Sequence, residues 1–81
     1  MAKKKPFKTI DIHSMTAEQA KRLIEFEIRR AAQNTEKILI IHGHNNGTVL
    51  RDMVRTKLTS PRISHIMPCF ANDGETAIFL K

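Results

Sequence analysis

The chain has 81 residues, 41% hydrophobic and 27% charged, the proportions of one folded domain rather than a disordered tail or a pair of domains. No apolar run approaches the roughly 20 residues that span a bilayer, and the basic start lacks the apolar segment of a secretory signal, so a cytoplasmic location without a membrane partner is expected. The single cysteine, Cys69, excludes an internal disulfide and a structural zinc site of the CxxC type.

Fourteen basic against eight acidic side chains leave a net charge of +6. Lys3, Lys4, Lys5 and Lys8 carry much of that excess, so residues 1–6 are expected to form a flexible basic arm ahead of one domain over 7–81. The charge favours a polyanionic partner. With neither Trp nor Tyr and only four Phe, composition argues against base stacking as the main binding mode.

From Phe7 to His13 polar and apolar residues alternate, which predicts a half-buried strand. Ile10 and Ile12 lie on its inner side; Asp11 and His13, two residues apart, lie on the other. Ser14-Met15 makes a turn. Thr16 and Gln19 then fit a capping box, and Ala20, Leu23, Ile24, Ile28 and Ala31 recur at helical spacing. Glu18–Arg22 and Glu25–Arg29 are expected i,i+4 pairs. The helix should end near Gln33-Asn34, with Asn in the left-handed terminal position.

Ile38 to Ile41 reads as a buried strand that runs into a polar, turn-forming loop, His42-Gly43-His44-Asn45-Asn46-Gly47. A second helix is predicted from about Thr48 to Leu58, with Leu50, Met53, Val54 and Leu58 inward and Arg51 and Arg55 outward. A cation at Arg51, in the first turn, opposes the helix dipole, which hints that it serves an anion. Ile63–Met67 and Thr76–Leu80 are the last strands, joined through Asn72-Asp73-Gly74-Glu75. His65 reads as structural and Cys69 as a partly buried thiol.

The order βαβαββ makes an α/β protein, a two-layer α+β sandwich. Strands joined through helices should run parallel, and the short last connection makes the fourth strand antiparallel. The ends of the first two strands and the start of the fourth then share one edge of the sheet, where open α/β sheets hold ligands. Asp11, His13, His42, His44, Glu75 and Thr76 are candidates to meet there. Two histidines can divide proton removal and delivery, Asp11 can orient an imidazole, and loop amides with Arg51 can hold a phosphodiester. Attack by an RNA 2′-hydroxyl needs no metal, whereas DNA would need an activated water and a divalent ion such as Mg²⁺ or Mn²⁺. The cofactor is therefore open, with no structural metal expected. No GxGxxG, GKS or GKT is present, so no nucleotide triphosphate is expected.

Three segments in order resemble the Smr (small MutS-related) domain. Ile10-Asp11-Ile12-His13-Ser14 matches its Leu-Asp-Leu-His-Gly strand, and His42-Gly43-His44-Asn45-Asn46-Gly47 its His-Gly-x-Gly-x-Gly loop, followed by Thr48-Val49-Leu50-Arg51. Asn72-Asp73-Gly74-Glu75-Thr76 echoes its Gly-x-Gly-x-Thr segment. Ser14 and Asn45 replace glycines, and His44 stands where many members have Lys. The resemblance implies a mixed four-stranded sheet of order 1-2-4-3 with both helices on one face, similar to the C-terminal domain of bacterial translation initiation factor three. It also implies an endonuclease acting on DNA or RNA. In that reading Asp11, His13 and His42 are catalytic, and Gly43, His44, Asn45, Asn46, Gly47, Thr48, Arg51, Gly74 and Thr76 hold phosphate. The alternative is a non-catalytic nucleic-acid-binding module of the same fold.

Overall fold

In the computed structural model, which describes residues 7–43, 48–69 and 74–81, the alternation of the first segment becomes strand β1 (Phe7–Asp11). Helix α1 (Ala17–Arg30), strand β2 (Lys37–Ile41), helix α2 (Val49–Thr56), and strands β3 (Ile63–Pro68) and β4 (Glu75–Leu80) follow. The sheet has the order β1-β2-β4-β3. β1 runs parallel to β2, and β4 lies antiparallel to both β2 and β3. The arm 1–6, the loop residues His44, Asn45, Asn46 and Gly47, and Asn72 and Asp73 of the last turn lie outside the described residues.

One row of side chains on the sheet forms the core: Ile10 and Ile12, Ile38 and Ile40, Ile78 and Leu80. Ala20, Ile24 and Ile28 of α1 and Leu50, Met53 and Val54 of α2 pack onto the same row, so both helices cover one face. Fully burying an isoleucine is worth roughly 2 kcal/mol, and this single layer supplies most of what holds so short a chain together.

In β3 the core-packed Ile63 and Ile66 are three residues apart, which regular period-2 alternation cannot place on one face. The strand solves this with a bulge: Ile63 pairs with Leu80 and His65 with Phe79, leaving Ser64 as the extra residue. His65 thereby joins the row that faces away from the helices, stacked on Phe79 with centroids 4.6 Å apart.

The ends of α1 separate what is local from what is tertiary. At its start, Thr16 Oγ1 accepts from the Gln19 amide (3.1 Å) while Gln19 Oε1 accepts from the Thr16 amide (3.4 Å), the expected capping box. Its end departs from expectation. The helix stops at Arg30 with Ala31 extended, and no described residue other than glycine takes a positive φ, so Asn34 does not form a left-handed cap. The Arg62 guanidinium does the work instead, donating to the carbonyls of Ile28 (2.7 Å), Ala31 (2.7 Å) and Ala32 (3.2 Å). Ile28 O and Ala32 O also accept from the amides of Ala31 (3.3 Å) and Thr35 (3.0 Å), so Arg62 adds to the bonds at the helix end, where a cation also suits the dipole.

The charged face differs too. Glu18–Arg22 forms as expected, at 3.7 Å with both side chains exposed. Glu25 takes Lys21 (3.3 Å) rather than Arg29, because its carboxylate also accepts from the backbone and hydroxyl of Thr59. Burial alone would raise the Glu25 pKa, but the Thr59 and Lys21 donors outweigh it and hold the carboxyl below its ordinary range.

Arg62→Ala removes a charged donor shared among the carbonyls at the end of α1, so a loss of about 1–2 kcal/mol is expected in urea unfolding. Arg62→Lys should recover only part of it, because an ammonium cannot present the planar fork.

Candidate nucleic-acid site at the sheet edge

β1 and β2 end side by side, and their pairing continues past the strands through Ile12 N–H to Ile41 O (2.9 Å). The chain then turns, with Met15 N–H donating to Ile12 O (2.9 Å). Ser14 sits inside this turn without positive φ, so the glycine found there in Smr sequences is not needed for backbone freedom. The turn presents Asp11 and His13 on the surface. Asp11 Oδ1 accepts from the His13 amide (3.0 Å) and lies 2.5 Å from His13 Nδ1. Those two donors, the ring first, pull the Asp11 carboxyl below the usual carboxylate range. An ionised carboxylate can only accept, so His13 carries its proton on Nδ1 and Nε2 is its basic nitrogen.

His42 has a different setting. It continues the inward alternation of Ile38 and Ile40 and is only 2% exposed. Its Nδ1 lies 3.2 Å from Gly43 O and its Nε2 2.8 Å from Thr76 Oγ1. Thr76 is fully buried on β4, and Arg55 Nε donates to the same hydroxyl from α2 (3.1 Å). A carbonyl must accept, so Nδ1 is the protonated nitrogen. Thr76 then donates to Nε2 while accepting from Arg55. The chain of hydrogen bonds runs from Arg55 through Thr76 to His42 and ends at Gly43 with one consistent proton arrangement.

Gly43 stands between the two histidines. It has φ +77, and a Cβ added to it would come within 3.2 Å of His13 Cβ. The positive φ favours glycine, and a Cβ there would also press on the His13 side chain. The Gly74 carbonyl accepts from the amides of His42 (2.8 Å) and Gly43 (3.0 Å), tying the loop to the start of β4.

The residues expected at this edge thus fall into two groups. Asp11, His13 and Gly43 meet at its surface. His42, Gly74 and Thr76 are buried beneath it, and Thr76, expected to contact phosphate, spends its hydroxyl on His42 and Arg55. Thr48 is exposed at the start of α2, where its side chain makes no capping bond. Arg51 is partly exposed with Nε 3.5 Å from Asp52. Arg55 does not stay on the outer face; its long side chain reaches inward past Val54, which helical spacing alone does not signal. Among the described residues no three His, Cys, Asp or Glu side chains gather as metal ligands, and no helix is long and apolar enough to cross a membrane.

The Smr domain family model matches residues 10–80. The chain belongs to the Smr family. This is a family of nuclease-related or nucleic-acid-binding modules. The fold agrees with that of a solved relative: the crystal structure of the Smr domain of Thermus thermophilus MutS2 superposes with a TM-score of 0.81 at 20% identity, over 91% of this chain and 98% of the other. No curated protein matches in sequence. The described parts of the first two Smr segments have a physical account. Asp-x-His builds an exposed carboxylate–imidazole pair, and His-Gly builds an anchored imidazole followed by a left-handed turn.

Gly43→Ala combines an unfavourable φ with contact against His13, at a cost of about 1–2 kcal/mol. NMR amide shifts of Asp11 and His13 should move more than those of β3, 3.2 Å contact being their link to the site.

Proposed function

We propose that this Smr domain is an endonuclease in which a single exposed imidazole, that of His13, does the proton transfer at the scissile phosphodiester. The observation that carries this reading is the Asp11–His13 pair, 2.5 Å apart at the surface of the sheet edge and beside the Gly43 turn, where an added Cβ would lie 3.2 Å from His13 Cβ. Asp11 holds the ring with Nε2 as the acceptor nitrogen. Nε2 takes a proton from the attacking group, a 2′-hydroxyl in RNA or a water in DNA. The new P–O bond forms as the bond to the leaving oxygen breaks, and that oxygen takes a proton from water at the open edge. Arg51 and the start of α2 supply positive potential for the phosphate. DNA cleavage would add a divalent ion to activate the water.

In this proposal His42 leaves the acid–base pair. Buried and bonded at both ring nitrogens, it holds Gly43 and so sets where a phosphate sits relative to His13. The burial of His42 also supports a second reading, a nucleic-acid-binding module without cleavage, because proton shuttling between two imidazoles needs both to reach the substrate.

The test is cleavage of all-ribo and 2′-deoxy strands, with EDTA and with Mg²⁺ or Mn²⁺. His13→Ala should lower kcat by about 100-fold or more, and Asp11→Asn by about tenfold, with binding retained in both. Because the Asp11 carboxyl is held low, its protonation should not limit cutting until the pH falls below the usual carboxylate range. Binding without products from any strand would establish the non-catalytic module.

A further inference from the structure

The sheet face opposite the helices carries a row that crosses all four strands. By register, Phe7 of β1 faces Lys37 of β2, Lys37 faces Phe79 of β4, and Phe79 faces His65 of β3. The row is a stack of plates around a cation. His65 and Phe79 are nearly parallel, 7° apart, and Lys37 Nζ lies 5.4 Å from the Phe7 ring centre and 5.9 Å from that of Phe79. The stack ends in exposed rings at both edge strands, with Phe7 58% exposed and His65 open as well. The neighbouring row, nearer the Asp11 edge, holds Thr9, Leu39, Ala77 and Met67, and neither row contains an acidic side chain.

Four phenylalanines in the whole chain argue against base stacking when counted, but two of them and a histidine fall in one row because of register and the Ser64 bulge. We propose that this face binds single-stranded nucleic acid: bases stack on the Phe7 and His65 plates, and Lys37 attracts the backbone. Exposed rings beside cations are the chemistry that takes single strands without reading sequence. A second copy of the chain is the other conceivable cover. The lysine at the centre of the row, with no acid in this row or the next to answer it, disfavours packing two such faces together. The face is also continuous with the edge that holds Asp11 and His13, four to six residues along β1 from Phe7 and so about 13–20 Å away. A strand lying across it would reach that edge. The proposal rests on the nucleic-acid reading above but not on cleavage.

Fluorescence anisotropy of labelled oligo(dT), oligo(U) and a blunt hairpin duplex tests it, with Phe7→Leu and His65→Gln, which keep bulk and remove a ring. Each variant should weaken single-strand binding by about tenfold and leave duplex binding within about twofold. Retained melting temperatures verify that both variants fold. Unchanged single-strand affinity in both variants, equal loss on duplex, or a wild-type dimer that Phe7→Leu dissociates would each overturn the proposal. Ring-dependent binding without cleavage would sustain it while ending the nuclease reading, and cleavage with no single-strand binding would do the reverse.

Discussion

The hydrogen bond between His42 and Thr76 is the interaction on which the functional edge depends. It lies beneath the surface, where β2, β4 and α2 meet, and a buried imidazole left without it would cost about 1–3 kcal/mol. It does more than satisfy two polar groups. The Gly43 carbonyl can only accept, so the His42 proton is on Nδ1, and Thr76 donates to Nε2 while accepting from Arg55. One buried threonine thus orients the turn that touches His13.

On the proposed reading, the two histidines of this chain have unlike tasks. His13 lies exposed just past the end of β1, paired with the carboxylate two residues earlier. A local, solvated pair of this kind can change protonation without disturbing the fold. His42 lies under the same edge, on the core side of β2, and any change in its protonation has to be answered by Thr76, Arg55 and Gly43 together. Such coupled, buried networks favour a single arrangement. The proposed division is that of a reactive group and the frame that aims it.

The elements, their order and the inward faces of both helices were readable from apolar periodicity, because each is a local pattern. The capping box of Thr16 and Gln19 was equally local. What periodicity missed was carried by long side chains crossing between elements. Arg62 closes the end of α1 from the start of β3, Thr59 draws Glu25 away from Arg29, and Arg55 turns inward from a helix position that spacing marks as outward. The bulge at Ser64 was hinted at by Ile63 and Ile66, whose separation no regular strand can put on one face. At the candidate site, proximity of the segments followed from topology. The burial of His42 follows from the parity of Ile38 and Ile40, which was present in the sequence but outweighed there by the Gly beside it.

Whether one imidazole is held for reaction and the other for support can be read from ¹⁵N NMR of the histidine rings. The spectra should be taken at a pH where both are neutral, before and after Thr76→Val. Protons are expected on Nδ1 of both His13 and His42 in the parent chain, with the substitution disturbing His42 most and His13 less, through Gly43, and with inorganic phosphate moving His13 but not His42 in the parent chain. A proton on Nε2 of His42, or equal responses of both rings to phosphate, would contradict that division.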